Sequence, residues 1–148
     1  MIEMVIGIIG ENCSGKSTLA DELGKVIGAE IVTGKDYLRM ARNEQDAAAA
    51  FRSKLSRALT DGNIIYVISE KEHVALLPPG AVRILVRADL ETIKERFRAR
   101  MHGHLPVSVE QMLEKKHGMF DGDTYDYRFD SGTDDAADLC EELKKRSE

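Results

Sequence analysis

Apolar positions recur with two different periods along this chain. Met4–Ile9 (MVIGII) is an unbroken apolar run, the pattern of a strand covered on both faces in a parallel sheet. From Lys16 to Ile27 the period lengthens. Leu19, Leu23, Val26 and Ile27 fall at i, i+4, i+7 and i+8, one face of a helix that Gly28 can end. Glu30–Thr33 predicts a short second strand. Residues from Asp36 to about Thr60 favour helix with a break near Asn43, and Phe51, Leu55 and Leu59 form its apolar stripe. Asp61-Gly62-Asn63 is a turn signal before a third strand at Ile64–Ser69. Glu70–Gly80 predicts no regular element and closes on Pro78-Pro79-Gly80. Val82–Val86 predicts a fourth strand, and Asp89 then caps a helix that turns Leu90, Ile93 and Phe97 inward. Met101–Pro106 interrupts that helix, and Ser108–His117 predicts another short one. Tyr125–Phe129 predicts a fifth strand. Thr133–Arg146 predicts a closing helix with Ala136, Leu139, Cys140 and Leu143 on one side.

Strands alternating with helices in this way predict an α/β fold of three layers, α/β/α, around a five-stranded, mostly parallel sheet. Ligands of such folds bind beyond the C-terminal ends of the strands. The 148 residues suit one domain, 1–148, with a single sizeable core. Charged residues make up 32% and the formal net charge is −5, a balance that speaks against nucleic acid or a membrane surface as partner. Two cysteines, Cys13 and Cys140, suggest no disulfide framework. No stretch approaches the roughly 18 apolar residues of a membrane span, and MIEMVIGIIG lacks the basic start and cleavage site of a leader. The expectation is a cytoplasmic protein, monomer or homodimer, with no nucleic acid and no membrane among its partners.

The stretch between the first strand and the first helix is GENCSGKS, residues 10–17. A packed turn needs a glycine, but not a lysine and a hydroxyl beside it. A phosphate chain does. In G-x4-G-K-[ST], backbone N–H groups converge on an anion and the following helix adds its positive end. The lysine reaches the outer phosphates and the hydroxyl ligates magnesium. The strand before and the helix after complete the P-loop context. The reading is a P-loop NTPase fold, with Gly10, Glu11, Asn12, Cys13, Ser14, Gly15, Lys16, Ser17 and Thr18 around ATP and Ser17 on Mg2+.

Element order and spacing over nearly the whole chain, with GENCSGKS, resemble the small P-loop kinases: adenylate, cytidylate, shikimate and gluconate kinases. VTGKDYLRMA at 32–41 is similar to the acceptor segment of the nucleoside-monophosphate kinases. With one residue inserted, the resemblance implies Thr33, Gly34 and Arg39 as acceptor-binding residues. KERFRARM at 94–101 matches the family's Glu-Arg-x-x-x-Arg helix before a lid, here about 101–124, and implies Arg96 and Arg100 as catalytic cations. YDYRF at 125–129 looks like the last strand, whose following loop holds the base. Asp-Gly-x-x-Arg is missing at the end of the third strand, where IIYVIS-Glu70 stands, and the shikimate-type glycine triplet is absent too. No Asn-Lys-x-Asp appears, which speaks against a regulatory GTPase.

Several residues keep two readings. Asp36 follows the second strand, where the shikimate-like branch implies a carboxylate on the acceptor hydroxyl or a magnesium water. It is equally a residue type that caps a helix. Arg39 is either a phosphate clamp or a surface arginine. Glu70 either orients a magnesium shell or is a loop acid. Arg96 and Arg100 share a helix face that Arg98 cannot, and that face is either a catalytic lid or solvated surface. His102 and His104, with His117 nearby, lack a ligand quartet of zinc spacing and read as polar lid residues. Cys13 sits at a free position of the loop, and Cys140 reads as core. The expected activity is a phosphotransferase moving the γ-phosphoryl of Mg-ATP to a nucleoside, nucleotide or similar small acceptor, with Lys16, Asp36, Arg96 and Arg100 in the chemistry. The competing expectations are an ATPase or nucleotide switch without an acceptor, and an inactive nucleotide-binding domain.

Overall fold

The computed structural model describes residues 3–147. Its strands are β1 (Met4–Ile9), β2 (Glu30–Thr33), β3 (Asn63–Ile68), β4 (Val82–Arg87) and β5 (Tyr127–Asp130). They form one sheet in the order β2-β3-β1-β4-β5, and every neighbouring pair is parallel. The connections carry α1 (Lys16–Ile27), α2 (Glu44–Asp61), the single turn α3 (Lys71–Val74), α4 (Leu90–Arg100), α5 (Val107–Lys116) and α6 (Ala136–Ser147).

The unbroken apolar run of β1 is split by the pleat between two cores. Met4, Ile6 and Ile8 face a cluster with Leu19 and Leu23 of α1 and Leu139 and Leu143 of α6. Val5 and Ile9 face the opposite cluster with Phe51 and Leu55 of α2, Tyr66 of β3, and Leu76 and Leu77. Between them Gly7 makes room for Leu77, since a Cβ there would lie 2.5 Å from Leu77 Cδ1. A third, smaller cluster joins Cys13 of the phosphate loop to Ile93 of α4 and Leu113 of α5. That cluster ties the loop to the helices at its side.

The break expected near Asn43 is present, because Asn43 Oδ1 accepts from Asp46 N at 2.8 Å and starts α2. Elsewhere local chemistry departs from the expected elements, and residues before the break, Asp36–Met40, form a 3-10 turn and not an α-helix. Residues 70–80 hold the turn α3 where no element was expected. β5 begins two residues late because the side chain of Asp126 accepts the Arg83 N–H at 2.8 Å, in place of a backbone carbonyl. α6 starts at Ala136 and not Thr133, since Asp135 Oδ1 accepts from Ala137 N at 2.9 Å as a cap. No helix among the described residues is long and apolar enough to cross a membrane.

Candidate active site

The loop from Gly10 to Gly15 leaves the C-terminal end of the central strand and enters α1. Its shape needs unusual backbone. Cys13 and Gly15 both have positive φ, 66° and 107°. A Cβ on Gly10 would stand 2.7 Å from both Ser14 Oγ and the Val86 carbonyl. The turn therefore closes only around a glycine at that position.

Lys16 is 6% exposed, and its Nζ donates to the Glu11 carbonyl at 2.7 Å, folding back on its own loop. Burial is the main force lowering its pKa to about 8, with Arg100 pushing the same way. Ser14 Oγ is buried without a hydrogen-bond partner. A buried ammonium and an orphan hydroxyl beside converging N–H groups suit an anionic oxygen. The residues present therefore fit a phosphate chain and its magnesium ion.

A cavity of about 390 Å³ opens in front of the loop. Lys16, Ser17, Thr18, Asn12, Cys13 and Gly15 form one wall, and Thr33, Gly34, Lys35, Asp36, Val67 and Ser69 the other, with Arg100 at the side. Tyr66 holds the second wall in place by donating its hydroxyl to the Gly34 carbonyl at 2.7 Å. Asp36 Oδ2 accepts from Thr33 Oγ1 at 2.9 Å and from Thr33 N at 3.1 Å. The Thr33 hydroxyl bond is the largest cause holding the Asp36 carboxyl below its usual range. Lys35 occupies the cap of the 3-10 turn, so Asp36 is not its N-cap, and its carboxylate, held by Thr33, borders the cavity. Arg39 is exposed on that turn and lines neither cavity of the site. Glu70 also lies off both.

A second cavity, about 680 Å³, lies on the other side of the loop between α4 and the loop after β5. Arg96 crosses between them, its Nη1 donating to the Cys13 carbonyl at 3.0 Å and to Ser131 Oγ at 3.2 Å. Arg96 and Arg100 both line this cavity and Arg98 does not, although Arg98 and Arg100 are both exposed. The loop after β5 is braced by Arg87, which grips Asp130 through Nε and Nη2 at 2.9 and 3.2 Å. The Glu11 side chain turns to the expected lid segment. Its Oε1 meets His117 Nδ1 at 3.0 Å and its Oε2 accepts from Gly118 N at 3.1 Å. The Cys13 side chain is buried against Ile93 and Leu113.

Sequence reasoning missed Ser131, Lys35, Ser69 and the Glu11–His117 contact. Lys35 stands inside VTGKD and Ser69 at the end of the third strand, so both carried a positional signal. Ser131 follows the last strand, where the resemblance already implied a ligand loop. Glu11 and His117 are 106 residues apart and carried none.

No protein-family model and no curated protein matches the sequence. Solved structures do match its fold. A gluconokinase from Sinorhizobium meliloti superposes with a TM-score of 0.63 at 15% identity, covering 99% of this chain and 94% of that one. Shikimate kinase from Acinetobacter baumannii, solved with shikimate, gives 0.62 at 15% identity, covering 97% and 92%. The YorR protein of Bacillus subtilis, solved with phosphorylated GDP, gives 0.64 at 18% identity, covering 97% and 95%. The chain has the fold of the small P-loop kinases.

Proposed function

We propose that the protein is a small-molecule kinase that transfers the γ-phosphoryl of ATP to a small hydroxylated or phosphorylated acceptor. The observation that carries this reading is the facing pair of Lys16 and Asp36. A buried ammonium beside the orphan Ser14 hydroxyl and a carboxylate fixed by Thr33 border one 390 Å³ cavity. A mere nucleotide holder has no use for the second wall.

Lys16 and the N–H groups of residues 13–17 would grip the outer phosphates, and the 680 Å³ cavity beside Ser131 would take the nucleoside. Ser17 would ligate magnesium, which when bound offsets charge on the phosphate oxygens. Asp36 would orient the acceptor hydroxyl. A carboxylate held this acidic stores a proton poorly, so it accepts that proton only as the new O–P bond forms and the bond to the leaving ADP oxygen breaks. Arg100 reaches the 390 Å³ cavity and would meet the moving phosphoryl group. Thr33, Gly34 and Lys35 would contact the acceptor, with Arg39 outside on the rim.

The fold neighbours span a gluconokinase, a shikimate kinase and a protein solved with phosphorylated GDP, so hydroxy acids, nucleosides and nucleotides form the test panel. ADP release from Mg-ATP should rise with at least one panel member, and Asp36→Asn should abolish that rise. ATP hydrolysis that no acceptor accelerates would replace this reading with an ATPase.

A further inference from the structure

The end of β3 carries a second cluster that the phosphate site does not use. Glu70, Glu72 and His73 each offer one ligand atom, and these atoms lie within 4.8 Å of one another. No other such group of three His, Cys, Asp or Glu residues occurs among the described residues. The chain leaves β3 extended at Glu70, and the single turn α3 folds Glu72 and His73 back beside it. The Glu70 and Glu72 carboxylate oxygens lie within 4.8 Å of each other, an arrangement of like charges that favours a cation between them.

His73 is the residue that packing alone does not account for. Its side chain is 5% exposed, edge-on to Tyr37 at 5.9 Å and tilted against Tyr66 at 6.4 Å. A phenylalanine would fill that space without polar atoms. Instead Nδ1 is buried with no partner, and Nε2 reaches only toward Glu72 Oε1, at 3.8 Å. Buried ring nitrogens ordinarily find a hydrogen bond. Here neither is satisfied: Nδ1 has no partner, and Nε2 stops short of the Glu72 carboxylate.

We propose that Glu70, Glu72 and His73 form a site for a divalent first-row transition-metal ion such as Zn2+ or Mn2+, separate from the magnesium position at Ser17. One imidazole with two carboxylates suits such ions, whereas Mg2+ prefers oxygen ligands and keeps its waters. Ligand bonds of about 2.0–2.2 Å set neighbouring donor atoms roughly 3–3.5 Å apart. Glu70 and Glu72 are exposed and can swing in that far, while the aromatic packing fixes His73. Three protein ligands leave coordination positions open. Glu72 and His73 border a cavity of about 460 Å³ that Tyr37 and Arg52 also line, so an anionic oxygen could complete the shell there.

The test uses the full chain without nucleotide, so that the phosphate site recruits no ion. Zn2+ titrated by calorimetry should bind at one equivalent, and Glu72→Gln should weaken it by about tenfold or more. His102→Gln, in the exposed MHGH loop, should leave it unchanged. Mn2+ bound to the wild type should show nitrogen coupling in pulsed electron paramagnetic resonance, absent in His73→Phe, which keeps the ring packing. Should His73→Phe not fold, the exposed Glu72→Gln still decides. Zn2+ affinity unchanged by Glu72→Gln, no nitrogen coupling in the wild type, or loss of binding in His102→Gln would each overturn the proposal.

Discussion

Lys16 sets an ammonium where burial disfavours it, and that cost has a pH signature. Below about pH 8 the lysine is protonated in both the folded and the unfolded chain, so the folded state carries the whole desolvation cost. Between about 8 and the ordinary value of 10.5 the folded chain releases the proton first. Stability attributable to Lys16 therefore rises through that window, by about 3 kcal/mol in all. Lys16→Met keeps the stem and removes the charge. It should unfold at higher denaturant than the wild type at pH 7, with the gap closing toward pH 10.5. The same lysine should lose phosphoryl transfer by about 10³-fold or more on becoming methionine. A phosphate ligand supplies the missing charge, so ATP binding at pH 9 should take up a proton, measurable by calorimetry in buffers of different ionisation enthalpy. Equal heats in the two buffers would mean that Lys16 does not face the nucleotide. Gly10 obeys steric rather than electrostatic limits. A Gly10→Ala side chain would strike the Val86 carbonyl, which cannot swing aside, so the variant should lose nucleotide binding before it loses its fold.

The helix α4 divides its arginines by direction. Arg96 is engaged by the Cys13 carbonyl and Ser131, Arg100 lines both cavities, and Arg98 lines neither. Arg100→Ala should lower kcat by more than it changes either KM, because its charge is needed where negative charge develops. Arg96→Ala should in addition loosen nucleotide binding, since Arg96 joins the phosphate loop to the loop after β5. Arg98→Ala should leave the kinetics unchanged, and equal damage from Arg98→Ala and Arg100→Ala would refute this division of the helix. Elements of this length were legible because each states its period locally. The apolar run of β1, the i, i+4, i+7 stripe of α1 and the asparagine that starts α2 need no distant partner. What the sequence hid were the elements decided across the fold. β5 starts where the Asp126 side chain stops competing for the Arg83 N–H, 43 residues away. The turn α3 exists because Leu76 and Leu77 reach the core beneath β1 and β3, and the buried place of His73 follows from that turn. The phosphate loop was readable for the opposite reason, since its chemistry lies within eight consecutive residues.

At the scale of the molecule, the phosphate loop is the junction between the sheet and the α4–α5 layer. Three contacts make that junction. Cys13 packs on Ile93 and Leu113, Arg96 holds the Cys13 carbonyl, and Glu11 holds His117 and the Gly118 N–H. Cys13 is 7% exposed, so the helices already cover its thiol before any nucleotide could. Alkylation of Cys13 must then wait for α4 and α5 to lift, which makes its rate a reporter of that opening. Leu113→Ala removes a packing partner and Glu11→Ala removes the tether to residues 117 and 118, so each should speed labelling by several-fold. Mg-ATP should slow it, because a phosphate in the loop strengthens the same junction. Cys140 is the internal reference. It is 6% exposed and lies in the other core, between α6 and the sheet, where only wider unfolding reaches it. Mass spectrometry resolves the two thiols in one sample. If Leu113→Ala accelerates Cys13 and Cys140 equally, exposure comes from unfolding of the whole chain and the two helices do not open as a unit. If Cys13 alone accelerates, the layer over the phosphate loop moves independently of the sheet.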